Sequence, residues 1–219
     1  MERGRKGERN MKATSREKQI ILTARVVSLV FTPFYLPLVG LISLFFLSYL
    51  RQYPLIYKLF VLAVVYFFTV LLPTLLIHFY RRYQGWTLFE LGRKERRMVP
   101  YVISILCYFT CIYLMEQLHI PHFMGSIVIA ALIIQMVCAL INVWWKISTH
   151  TAAIGGVAGA LFIFSELFGF NPTWWFCLIF IIAGVLGTAR MLLRQHTLSQ
   201  VVGGFFVGVF CAIIGIVFL

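Results

Sequence analysis

Two short polar stretches hold most of the residues in this chain that are capable of chemistry. The first, Lys146-Ile147-Ser148-Thr149-His150, sets a cation, a hydroxyl and an imidazole within five residues at the mouth of a long apolar run. The second contains Arg190, Arg194, His196 and Gln200. Cations with a hydroxyl suit a tetrahedral oxyanion, and two imidazoles suit a nucleophile and a proton donor. The combination describes a phosphate site built without metal. His196 and Gln200 stand four apart, so the amide can bond one ring nitrogen and fix which nitrogen is free to attack. His150 would then protonate the departing oxygen.

These groups have to be carried by membrane helices. Hydrophobic residues make up 61% of the 219 positions and charged residues 12%, far more apolar surface than a soluble domain can hide. The apolar runs Val26–Leu50, Pro54–Tyr80, Pro100–Leu118, Pro121–Trp145, Thr151–Gly169, Thr173–Leu193 and Thr197–Leu219 each approach the roughly 20 residues that a spanning helix needs. The fold expected is all-α, a polytopic transmembrane helical bundle of six or seven helices. Pro33 and Pro37 leave the first run open as either a kinked helix or a short hairpin. Residues 1–18 read as a basic, disordered tail and residues 19–219 as a single transmembrane domain.

An even number of crossings separates Lys146–His150 from Thr188–Gly204, so both stretches belong on one face. Gly155 with Gly159, and Gly204 with Gly208, are small-xxx-small pairs that let helices approach closely enough to join His150 and His196. By the same parity the cluster Arg93, Lys94, Arg96 and Arg97 falls on that face, either as a phosphate cradle or as a topology signal. The preceding stretch Tyr80–Gly92 mixes aromatic, basic and apolar residues and reads as interfacial.

Composition also excludes. The net charge of +12 is met by positive-inside loops and anionic headgroups, and no nucleic-acid partner is expected. The chain has no Asp, which removes chemistry that depends on clustered carboxylates around a metal. Its five cysteines lie within apolar runs and read as small membrane-buried hydrophobes.

The spacing Arg190-x5-His196-x3-Gln200 resembles the third signature of the type 2 phosphatidic acid phosphatase family, SRxxxxxHxxxD, and Ser148-Thr149-His150 resembles its second, PSGH. The resemblance runs over Lys146–Gly204. It implies His196 as the nucleophile that forms a phosphohistidine, His150 as the general acid, and Arg190 with Ser148 as the phosphate clamp. It further implies a membrane-embedded lipid phosphatase that needs no metal or other cofactor and acts on a phospholipid phosphate or polyprenyl pyrophosphate in a bacterial-type inner membrane.

This chain departs from the family pattern at Ile147, Thr149, Ala189 and Gln200, which stand where the signatures have Pro, Gly, Ser and Asp. The first signature, KxxxxxxRP, has only a partial echo in Lys94, Arg97 and Pro100. Lys146 can supply the missing cation with Arg97 as a second, although Lys146 also fits a lysine snorkelling to the interface. Because an amide cannot stabilise an imidazolium as a carboxylate does, a non-hydrolysing relative that binds or moves phospholipids is the alternative.

Overall fold

The computed structural model describes residues 2–47, 52–85 and 98–218. The basic cluster Arg93–Arg97, and the proposed interfacial segment from Trp86 onward, lie outside the described residues. Among the described residues every regular element is a helix, and seven are long and apolar enough to cross a membrane. The chain is a multi-pass membrane protein, with the larger of the two expected helix counts.

The first span, Arg16–Phe46, is interrupted at its prolines. Helix α1 runs Glu2–Val30, so the segment expected as a disordered tail is continuous with it. Thr32 is extended (φ −69°, ψ 146°) because Pro33 disfavours the helical region for the residue before it. A 3-10 turn, Pro33–Tyr35, leads into α2 (Leu36–Leu47), whose first turn accepts Pro37 without losing a hydrogen bond.

The second span is α3 (Leu55–Tyr66), a π-helical turn (Phe67–Leu71) and α4 (Leu72–Tyr83). Pro73 lacks an N–H and crowds the carbonyl of Thr69, and the wider turn just before it accommodates both effects. The remaining spans are α5 (Met98–Gln117), α6 (His122–Trp144), α7 (Thr149–Phe168), α8 (Thr173–Leu192) and α9 (Leu198–Val217).

Helix α7 is the most enclosed, with Thr151–Gly156, Ala158, Gly159 and Leu161 all buried. It meets α9 through main chain on both sides. A Cβ added at Gly208 would collide with the Ala152 carbonyl oxygen, and one at Gly155 with the Phe205 carbonyl oxygen. Glycine at these positions is what allows the two helices to touch. On another side of α7, an apolar cavity of ≈ 200 Å³ lies among Pro37, Ser43, Gln135, Thr149, Val157 and Ile179.

Candidate active site

Helix α6 ends when Trp145 turns extended (φ −131°, ψ 127°), and Ile147 anchors the connection by burying all but 2% of its surface. Ser148 follows as the N-cap of α7, fully buried, with its hydroxyl oxygen accepting the Thr151 N–H at 3.4 Å. This connection is fastened to the start of α9. The Ser148 N–H donates to the Gln200 carbonyl at 3.3 Å. A Cβ at Gly203 would come within 2.9 Å of the Trp145 ring, and one at Gly204 within 2.6 Å of the Ser148 carbonyl oxygen. His150, the second residue of α7, is therefore held in register with the first turn of α9.

The chain leaves α8 through a Schellman turn. Arg194 adopts the left-handed conformation (φ 52°), its N–H bonds the Met191 carbonyl at 2.8 Å, and the Gln195 N–H bonds the Arg190 carbonyl at 3.1 Å. The turn delivers His196 directly ahead of Thr197, the N-cap of α9. Thr197 and Gln200 form a capping box, in which the Thr197 N–H donates to Gln200 Oε1 at 3.2 Å.

The same Gln200 oxygen lies 3.2 Å from His196 Nδ1. A backbone N–H can only donate, so the atom it meets is the amide oxygen and not the nitrogen. In a neutral ring Nδ1 must then carry the proton, and Nε2 keeps the lone pair. Tautomer and helix cap are set by one atom.

Arg190, in the last turn of α8, is half-buried. Its Nη1 donates to the Ser28 hydroxyl of α1 at 2.7 Å. His150 feels the charges of both Arg190 and His196 and lies beside the main chain of Ser28. Two nitrogens of this group, His150 Nδ1 and Arg190 Nε, are buried and have no hydrogen-bond partner among the described residues. Leaving such atoms unsatisfied costs about 1–3 kcal/mol each, and an oxyanion between them would satisfy both.

The structure thus brings His150, Arg190, His196 and Gln200 together, from stretches that lie far apart in sequence. Lys146 is half-buried in the same α6–α7 connection. Ser148, expected as part of the phosphate clamp, sits at a fully buried cap. Arg194, expected to bind phosphate, is exposed and occupies the turn position. Arg97 lies outside the described residues. Ser28 was missed by sequence reasoning, since no motif includes it. Its one signal is helical: Ala24, Val27, Ser28 and Phe31 form the covered stripe of α1, at spacings that share one face.

Residues 134–219 match the family model described as the PAP2 superfamily. The match begins within α6 and runs through α9, so it contains His150, Arg190, His196 and Gln200 and excludes Ser28. The family so described is generally one of phosphoesterases, and the matched stretch is the one that carries the two sequence motifs. Among curated proteins and among solved structures, none matches the chain.

Proposed function

We propose, from the PAP2 superfamily signature carried by residues 134–219, that the protein is an integral membrane phosphatase. Its substrate is a phosphomonoester or pyrophosphate of a phospholipid or polyprenyl carrier, and the membrane is a bacterial-type inner membrane. The lone pair of His196 Nε2 attacks phosphorus as the bond to the leaving oxygen breaks, and His150 gives that oxygen its proton. Water, deprotonated by His150, then attacks the phosphohistidine. The N–P bond breaks, inorganic phosphate leaves and both imidazoles return to their starting forms. Arg190 and Lys146 offset the negative charge of the transferred group.

The observation that carries this reading is the double use of Gln200 Oε1, which favours the His196 tautomer with its lone pair on Nε2. The two buried nitrogens that lack partners among the described residues support an anion between His150 and Arg190. The apolar cavity lined in part by Thr149, the neighbour of His150, supports a lipid over a soluble phosphate ester. In the test, detergent-solubilised protein is offered phosphatidic acid, phosphatidylglycerol phosphate, lipid A and undecaprenyl pyrophosphate without added metal. Phosphate release that disappears in His196→Ala, with an acid-labile phosphohistidine trapped on the unsubstituted chain, is the expected result. Release that persists in His196→Ala refutes the mechanism.

A second reading rests on Gln200 itself. Its neutral amide does not stabilise an imidazolium as the family's carboxylate does, which favours a relative that holds phospholipids without cleaving them. That protein would bind phosphorylated lipid in a manner dependent on Arg190 and Lys146 and release no phosphate.

A further inference from the structure

Serine and threonine on membrane helices commonly return their hydroxyl to a carbonyl one turn back. Thr23 bonds the Gln19 carbonyl, Thr69 that of Val65, Ser104 that of Pro100 and Thr188 that of Gly184. Ser28 departs from this habit. It is 7% exposed on an otherwise apolar stripe, and its oxygen accepts from Arg190 Nη1 at 2.7 Å across 162 residues of sequence.

The direction of that bond matters. A guanidinium offers a bidentate edge made of Nε and the terminal nitrogen on the side away from Nη1. With Nη1 anchored on Ser28, this edge is the part left to meet an anion, and its Nε is buried with no partner among the described residues. The same serine lies along its main chain beside the His150 ring. One residue of α1 therefore touches both halves of the site.

We propose that Ser28 is a positioning residue that aims the Nε edge of Arg190 at the phosphoryl group, making the N-terminal helix a working wall of the site. The inference rests on the phosphate-site reading of His150 and Arg190. It extends that site beyond the family-matched region, to a helix that the match does not reach. A charge-assisted hydrogen bond in a buried setting restricts a long side chain that would otherwise sample several rotamers. Without Ser28, Arg190 keeps its charge and loses its aim.

The test uses the full-length chain in detergent, with two readouts. Binding of inorganic phosphate is followed by 31P NMR, and phosphate release from lipid substrates gives kcat and KM. Ser28→Ala is expected to weaken phosphate binding and raise KM on the order of tenfold, with a smaller change in kcat. Ser28→Thr keeps the hydroxyl and is expected to restore both. In an Arg190→Ala background, Ser28→Ala should add nothing further, because the partner it positions is gone.

Wild-type phosphate affinity and KM in Ser28→Ala overturn the inference, as does a loss that adds fully to that of Arg190→Ala. Ser28-dependent phosphate binding without release from any lipid would refute hydrolysis and uphold the positioning role. Hydrolysis indifferent to Ser28 would do the reverse. A wild-type chain that neither binds phosphate nor releases it refutes both.

Discussion

Gln200 Oε1 stands 3.2 Å from His196 Nδ1 and also takes the Thr197 N–H at 3.2 Å. Replacing Gln200 by Leu removes both bonds together. Phosphate release is expected to fall by about 10²-fold or more as Nδ1 loses its partner, and stability by about 1 kcal/mol as the capping box opens. Gln200→Glu keeps an oxygen for both donors and adds a charge that favours the imidazolium, so it should retain or exceed wild-type release. Initial rates and thermal unfolding of the three proteins, side by side, check this.

Ser148 is a test of cap against clamp. If its hydroxyl serves the first turn of α7, Ser148→Ala lowers stability by about 1 kcal/mol, and Ser148→Thr recovers most of that. The KM for lipid phosphate should change less than it does in Arg190→Lys, where the bidentate fork is replaced by a point charge. Unfolding midpoints and KM values from the same preparations separate the two roles.

Arg194 occupies a left-handed position that glycine adopts without steric cost. Arg194→Gly is expected to raise stability by up to about 1 kcal/mol while leaving phosphate release within a few-fold of wild type. A large loss of release would instead return Arg194 to the phosphate-binding set.

The contact of α7 with α9 predicts a sharp contrast between glycines. At Gly208 a methyl group meets the Ala152 carbonyl oxygen, which cannot move without moving the helix, and Gly208→Ala should cost about 1–3 kcal/mol with matching loss of activity. At Gly184 no described neighbour lies within 4 Å of an added Cβ. Gly184→Ala should therefore be neutral, or stabilising by about 0.5–1 kcal/mol. Thermal unfolding in one detergent measures both.

The convergence of the two polar stretches was legible because it follows from parity and spacing. Two apolar runs lie between His150 and His196, and Gly155, Gly159, Gly204 and Gly208 recur at one-turn intervals, so a shared face and a close approach could both be read from the chain. The pairing of His196 with Gln200 was legible from their separation of four, although His196 precedes the N-cap and the bond arises because Gln200 reaches back over the first turn of α9.

What sequence could not show was the use of main chain and of remote partners. The positive φ that places Arg194 in a turn, and the capping of α7 by the Ser148 hydroxyl, are main-chain features that no residue type announces. Ser28 is bonded to a residue 162 positions away, and nothing local to it encodes that distance.

The glycine contact between α7 and α9 has a consequence for how this site tolerates change. The gap between α7, which bears His150, and α9, which His196 directly precedes, is a backbone dimension, fixed where Gly208 meets Ala152 and where Ser148 bonds Gln200. Side chains near His150 and Arg190 can then differ while that separation is kept, as Ile147, Thr149 and Ala189 stand in place of the residues of the signatures. Tolerance should be strongly anisotropic: broad among the groups that face the substrate, and almost nil for one added methyl on the side facing away from it.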